Sequence, residues 1–307
     1  MSSHSPFRFG ATVTHIESRA TLQEQARRLE GEGWSTLLMR DHVGAPSMFA
    51  PLMSAAAATV DLRVGTLVAN NGLHHPVRLA QEAATVDLLV DGRLELGLGA
   101  GWNRSESDLL GIAHEASPQR VTRLHNSIAT MKSAWAGDLR LPAADGTEGE
   151  RAVLPGVQRP HIPLLIGGHG DAILALAAQQ ADIVGLNGLT VAGSTAKPTG
   201  VGYDAIADRV QFLRAHAGER MNVIELSTLA LVTSIDGDTE STVRDVASGL
   251  QIAPTVVHDS PLVLVGSTSE VVDKLVAVRE QLGISYIVVR DTAMHEMGPV
   301  VAELAGT

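Results

Sequence analysis

The chain has 307 residues, 45% of them hydrophobic, and carries a formal charge of −11 with no cysteine. A chain of that length buries a large core and fits either two ordinary domains or one α/β barrel. The acidic balance argues against a nucleic-acid partner or a membrane surface, because both need concentrated positive charge.

Without cysteine there is no disulfide, iron–sulfur cluster or thiolate nucleophile. The start MSSHSPFRFGATV has no basic stretch followed by an apolar one, and no apolar run reaches membrane-spanning length, so a cytoplasmic protein is expected. In chain order, strand-like apolar runs fall near 7–13, 35–40, 62–69, 93–98, 163–167, 182–187, 223–233 and 284–290. Several are apolar on successive residues, such as Leu37-Leu38-Met39 and Ile287-Val288-Val289, the pattern of parallel strands covered on both faces. Between them lie helical segments. Thr21-x-x-Glu24 reads as a capping box opening a helix that closes near Gly31 to Gly33. Pro76 and Pro118 suit first-turn positions, the latter behind Ser117 as N-cap, and Ser267-x-x-Glu270 opens a further helix. Eight strands alternating with helices predict a single (β/α)8 TIM barrel over residues 1–307. Residues 138–162 and 187–203, rich in Gly, Pro and Thr, are expected as surface excursions.

In such a barrel the chemistry gathers at the C-terminal strand ends. These carry His15 after the first strand, Asp41-His42 after the second, Asn70-Asn71 and His74-His75 after the third, and Gly99 to Trp102 after the fourth. Gly167-Gly168-His169 follow the fifth strand, Asn187 the sixth and Arg290-Asp291 the last. Asp41-His42, taken alone, reads more readily as a capping carboxylate beside a surface imidazole than as a catalytic pair. Adjacent histidines point apart and no His-x-x-x-His spacing accompanies them, so no metal site is expected. Ser194-x-x-Lys197 matches S-x-x-K by chance, without companion motifs. The three lysines, Lys132, Lys197 and Lys274, fall outside the strands, which counts against a Schiff-base aldolase.

GLGAGW at 97–102 fails the dinucleotide fingerprint, because Trp102 stands where the third glycine belongs. Gly99 and Gly101 either let a flat ligand approach the backbone or relieve crowding at the barrel rim. IGGHGD at 166–171 places glycines directly before a helix, an anion cradle of free amide N–H groups.

The stretch 63–102, with LLMRDH at 37–42, 159–186 and 260–275, resembles the bacterial luciferase-like oxidoreductases, and within them the branch using the deazaflavin coenzyme F420. The resemblance implies a (β/α)8 barrel with insertions and a homodimer. It implies that His42, beside Asp41, faces the deazaflavin and exchanges a proton, a task that suits imidazole. It implies a non-prolyl cis peptide at Leu67-Val68 backing the ring, Gly101 and Trp102 at the ring edge, and Gly167, Gly168 and His169 near the coenzyme phosphate. Asn70 and Gly99 are expected to complete the coenzyme pocket, with His15 and Asn71 toward a small organic substrate. Related sequences often have an aromatic after the acidic residue of the fourth loop, where this chain has Glu106-Ser107. The function so implied is hydride transfer between the coenzyme C5 and an organic substrate. The rivals are an FMN-dependent monooxygenase, a non-catalytic flavin-binding homologue and, more remotely, an isomerase of phosphorylated substrates on the same barrel.

Overall fold

The computed structural model describes residues 5–142, 148–151, 156–192 and 195–307. Eight strands form the barrel: β1 (Arg8–Val13), β2 (Thr36–Met39), β3 (Arg63–Thr66), β4 (Leu94–Gly99), β5 (Leu164–Gly168), β6 (Ile183–Leu186), β7 (Glu225–Leu229) and β8 (Ile284–Arg290). All neighbours are parallel, and Gly10 pairs with Thr36 on one side and Val288 on the other, so β8 closes on β1. This is the predicted (β/α)8 barrel. One principal helix follows each strand: α1 (Arg19–Gly31), α2 (Phe49–Ala56), α3 (Pro76–Leu89), α4 (Ser117–Ala136), α5 (Asp171–Gln180), α6 (Tyr203–Ala217), α7 (Thr268–Leu282) and α8 (Met294–Leu304).

Alternation along the strands separates two apolar layers. Phe9, Ala11, Leu37, Ile287 and Val289 belong to the large layer under the helices, while Leu38, Leu165, Ile183, Tyr286 and Val288 fill the barrel interior. The inner ends of the strands hold charge. Glu95, 2% exposed, pairs with Arg8 and with Arg63 Nε at 2.6 Å, and Arg8 Nη1 reaches Glu225 Oε2 at 2.6 Å. Tyr286 donates its hydroxyl toward Glu95 at 3.4 Å and carries the Arg8 guanidinium 4.4 Å above its ring. Burial alone would lower the pKa of Arg8, but the surrounding Glu95, Tyr286 and Glu225 raise it, so this guanidinium stays charged.

The predicted third strand, 62–69, is interrupted. Its peptide Leu67–Val68 is cis, and a short strand, Ala69–Asn70, then pairs with Leu98 and Gly99. The run 223–233 is likewise divided. At Ala230 the backbone N–H still donates to Val288 O, whereas Leu231 N–H donates to Leu262 O. The chain thereby leaves the barrel, and Val232–Ile235 forms a separate parallel pair with Val263–Gly266. Two caps also differ from expectation. Ser18, not Thr21, caps α1 with Thr21 as its third residue, so the helix starts earlier than the Thr21-x-x-Glu24 pattern implied. Ala116 is the N-cap of α4, which puts Ser117 in the first turn. The Ser267/Glu270 capping box is present in both directions. Within the predicted excursions, Arg140–Pro142 pairs with Glu148–Arg151 and Thr190–Ala192 with Thr195–Lys197 as short hairpins. Residues 143–147, 152–155 and 193–194, including Ser194 of the S-x-x-K match, lie outside the described residues. Among the described residues no helix is long and apolar enough to cross a membrane.

Candidate active site

The C-terminal strand ends enclose a cavity of about 520 Å³, within the usual size range of small-molecule sites. The loop after β2 contributes Asp41 and His42, and the interrupted third strand contributes Leu67, Val68 and Asn70. The rim after β4 adds Gly99, Gly101 and Trp102, and the rim after β5 adds Gly167, Gly168 and His169. Asn187, Ser227 and Val288 line the cavity from the remaining strands.

His42 is fixed by a neighbour. Its Nδ1 lies 2.6 Å from Glu106 Oε1, on the one-turn helix Arg104–Leu109 that Asn103 caps through Ser105 N. The Glu106 side chain is 8% exposed against 37% for His42. A carboxylate has no proton to donate, so Nδ1 carries the hydrogen of this bond. Nε2 is the imidazole nitrogen left without a partner among the described residues. The ring also meets Trp102 edge to face, with centroids 6.4 Å apart.

Asp41 works behind this pair. Its Oδ2 accepts from Asn70 N at 2.8 Å and lies 2.7 Å from His74 Nε2. Burial pushes its pKa up, but the bonds from His74 and the Asn70 amide, with the charges of His74 and His42, hold it below the ordinary value. Asp41 is therefore a fixed anion that ties the β2 loop to the third strand.

The far end of the cavity suits an anion. α5 begins at Gly170, whose N-cap position makes no side-chain cap bond, which leaves first-turn amides free. A Cβ on Gly170 would meet nothing within 4 Å, and one on Gly167 nothing nearer than 3.8 Å, so side chains there would occupy the open cradle. His169 Nδ1 is buried without a partner, and burial, followed by the charge of Arg209, lowers the pKa of this ring. The other glycines have a different reason. A Cβ at Gly99 would stand 2.7 Å from Val68 Cγ2, and at Gly101, where φ is +80°, 2.3 Å from Asn70 Oδ1. Close packing between β4 and the third strand leaves no room for a side chain at Gly99 or Gly101, both of which also line the cavity.

A family model described as luciferase-like monooxygenase matches residues 1–286. The chain belongs to the luciferase-like monooxygenase family. It is an oxidoreductase. Among similar proteins, an F420-dependent glucose-6-phosphate dehydrogenase of Nakamurella multipartita is 27% identical over 252 residues, covering 78% of this chain and 71% of that one. Other curated relatives align over less than half of their own length. Of solved structures, the coenzyme F420-dependent tetrahydromethanopterin reductase of Methanopyrus kandleri superposes with a TM-score of 0.74 at 17% identity, covering 98% of each chain. The oxygenating constituent of 3,6-diketocamphane monooxygenase from Pseudomonas putida, in complex with FMN, gives 0.71 at 14% identity, again over 98% of each chain. These likenesses establish the shared fold.

Two expected substrate residues of this luciferase-like chain lie off the cavity. His15 is exposed beyond β1, and Asn71 is 2% exposed with both side-chain amide atoms unpartnered. The β1 loop turns aside because Thr14 binds Asp291 through its backbone N–H, at 2.9 Å, and its hydroxyl. Asn71 points inward because its backbone follows β4, donating to Gly99 O. Sequence reasoning did not assign His74, Glu106 or Arg120 to the site, and the structure places all three on it or directly behind it. Glu106 had a local signal, as an acidic residue in the first turn behind Asn103, and His74 had its place after the third strand; Arg120 had none.

Proposed function

We propose that this oxidoreductase uses coenzyme F420 and transfers a hydride between C5 of the deazaflavin and a small organic substrate, with His42 exchanging the proton. The observation that carries this reading is His42, which lines the cavity with its Nδ1 engaged by a buried carboxylate and its Nε2 without a partner among the described residues. When bound, the coenzyme supplies the two-electron redox chemistry.

The residues present fit such a group. The cradle at Gly167 and Gly170, with the free amides of α5 and the unpartnered His169 Nδ1, would hold its phosphate. Leu67 and Val68, packed on the interior cluster, would back its ring. During substrate oxidation Nε2 of His42 takes the hydroxyl proton, and during reduction the same atom returns it. Glu106 holds the ring on Nδ1 and stabilises the imidazolium formed in between. Asp41 and Asn70 fix the loop that presents it. The F420-dependence of the Nakamurella relative supports the coenzyme assignment. FMN is the rival occupant of the same cavity. We further propose that the chain acts as one barrel domain, with surface excursions at 138–162 and 187–203, in a cytoplasmic homodimer.

Replacing His42 by Ala removes a half-exposed side chain and should leave the fold intact. Coenzyme binding should persist, while coenzyme reduction across a panel of alcohols should be lost. Turnover equal to that of the parent protein would remove His42 from the mechanism.

A further inference from the structure

The mechanism leaves one buried cation of the cavity without a task. Arg120 lies in the first turns of α4 and lines the cavity with Ser117 and Val121, yet it is only 7% exposed. Its Nη1 donates to Glu115 O at 2.6 Å and faces His114 Nε2 at 3.2 Å. His114 Nδ1 in turn lies 3.2 Å from Ser107 Oγ, beside Glu106. Burial, then the charge of Arg120, lowers the pKa of His114. The ring is thus neutral, its Nε2 accepts from Arg120, and its Nδ1–H donates to Ser107.

The carbonyl, the imidazole and the hydroxyl carry no negative charge. The Glu115 carboxylate forms its ion pair with Arg123, at 3.0 Å, and reaches Arg120 only through its field, which burial and the Arg123 charge outweigh. The acids that line the cavity are likewise engaged: Asp41 with His74, Glu106 with His42, and Asp171 with Arg209. Arg120 Nε is buried without a partner, and Nη2 has none among the described residues. A guanidinium presents a planar fork that matches a carboxylate or phosphate, and an uncompensated buried cation is costly. Here the fork is held in place by a backbone carbonyl and a neutral imidazole, with part of its donor set unused beside a cavity of ligand size.

We propose that Arg120 is an anion-recognition residue, binding a carboxylate or phosphate group of a small molecule in the cavity. The inference deepens the coenzyme reading, on which it rests for the cavity's use. The oxyanion comes either from the substrate, which sets specificity for acidic substrates, or from an acidic substituent of the coenzyme itself.

The test is calorimetric titration with inorganic phosphate and with benzoate, before and after saturation with coenzyme F420. It compares the parent protein with Arg120→Gln and Val121→Asp. The second variant puts a carboxylate beside the fork and leaves the Arg120 bonds to Glu115 and His114 in place, so it serves if the first does not fold. Anion binding that survives coenzyme saturation and weakens roughly tenfold or more in both variants assigns the site to substrate. Displacement of the anions by the coenzyme, with coenzyme affinity falling by a similar factor in both variants, assigns it to the coenzyme. A parent protein that binds anions through Arg120 but never binds the coenzyme would sink the coenzyme reading and leave the anion site standing. Affinities for anions and coenzyme that are equal in all three proteins, or no anion binding with unchanged coenzyme affinity, overturn the proposal.

Discussion

Glu95→Gln removes the negative centre of the charged cluster at the base of the barrel without changing its shape. In the parent, one carboxylate, 2% exposed, receives Arg8, Arg63 and the Tyr286 hydroxyl. Deleting one partner of a buried ion pair costs about 3–5 kcal/mol, because the remaining charge is left without compensation. Arg8 and Arg63 keep 25% and 27% of their side chains in water, which places the cost at the lower end, about 3 kcal/mol. Arg8 retains Glu225, so the cluster is weakened rather than emptied. For a chain of this size each kcal/mol moves the melting temperature by about 2 °C or slightly more, so a fall of about 6 °C is expected by calorimetry or circular dichroism. The cavity lies at the opposite strand ends, and coenzyme affinity should be unchanged. A fall below about 2 °C would show that water already compensates the two guanidinium groups, and the view of the cluster as a buried brace on β1, β3, β4, β7 and β8 would be wrong.

Gly101→Ala puts a side chain at φ +80° and 2.3 Å from Asn70 Oδ1; strain of about 1–2 kcal/mol joins a displaced Asn70, whose backbone N–H donates to Asp41. Coenzyme affinity should drop at least roughly tenfold in a fluorescence titration, and an unchanged value would show that the β4 rim does not shape the pocket. Lys274, half-buried and donating to His258 O and Val263 O, has its pKa pulled by burial from 10.5 to about 8. Between those values the unfolded chain holds a proton that the folded chain releases, so this residue makes stability rise with pH, by at most about 1.4 kcal/mol per unit, and contributes a constant cost below about pH 8. Urea melts of the parent and Lys274→Met should therefore differ by an amount that is flat in the neutral range and shifts in the parent's favour above it; a difference independent of pH throughout would refute the assignment.

All eight barrel strands were legible because parallel strands buried on both faces are apolar on successive residues, as at Leu37-Leu38-Met39. Their ends were less so. A continuous apolar run cannot show that Ala230 still bonds β8 while Leu231 bonds a different segment. Nor does a capping pattern choose between Ser18 and Thr21 when both precede helix formers. Of the site, the strand-end residues Asp41, His42, Trp102 and the β5 glycines were readable from position alone. Their partners were not, since His74 lies 33 residues from Asp41 and Glu106 lies 64 from His42. Those pairs exist only once the barrel closes.

The most direct test of the account is titration of the purified protein with coenzyme F420 and, in parallel, with FMN, followed by fluorescence. Saturable binding of the deazaflavin, with FMN unable to displace it at comparable concentration, is the predicted result. Preferential binding of FMN, or binding of neither, would contradict it.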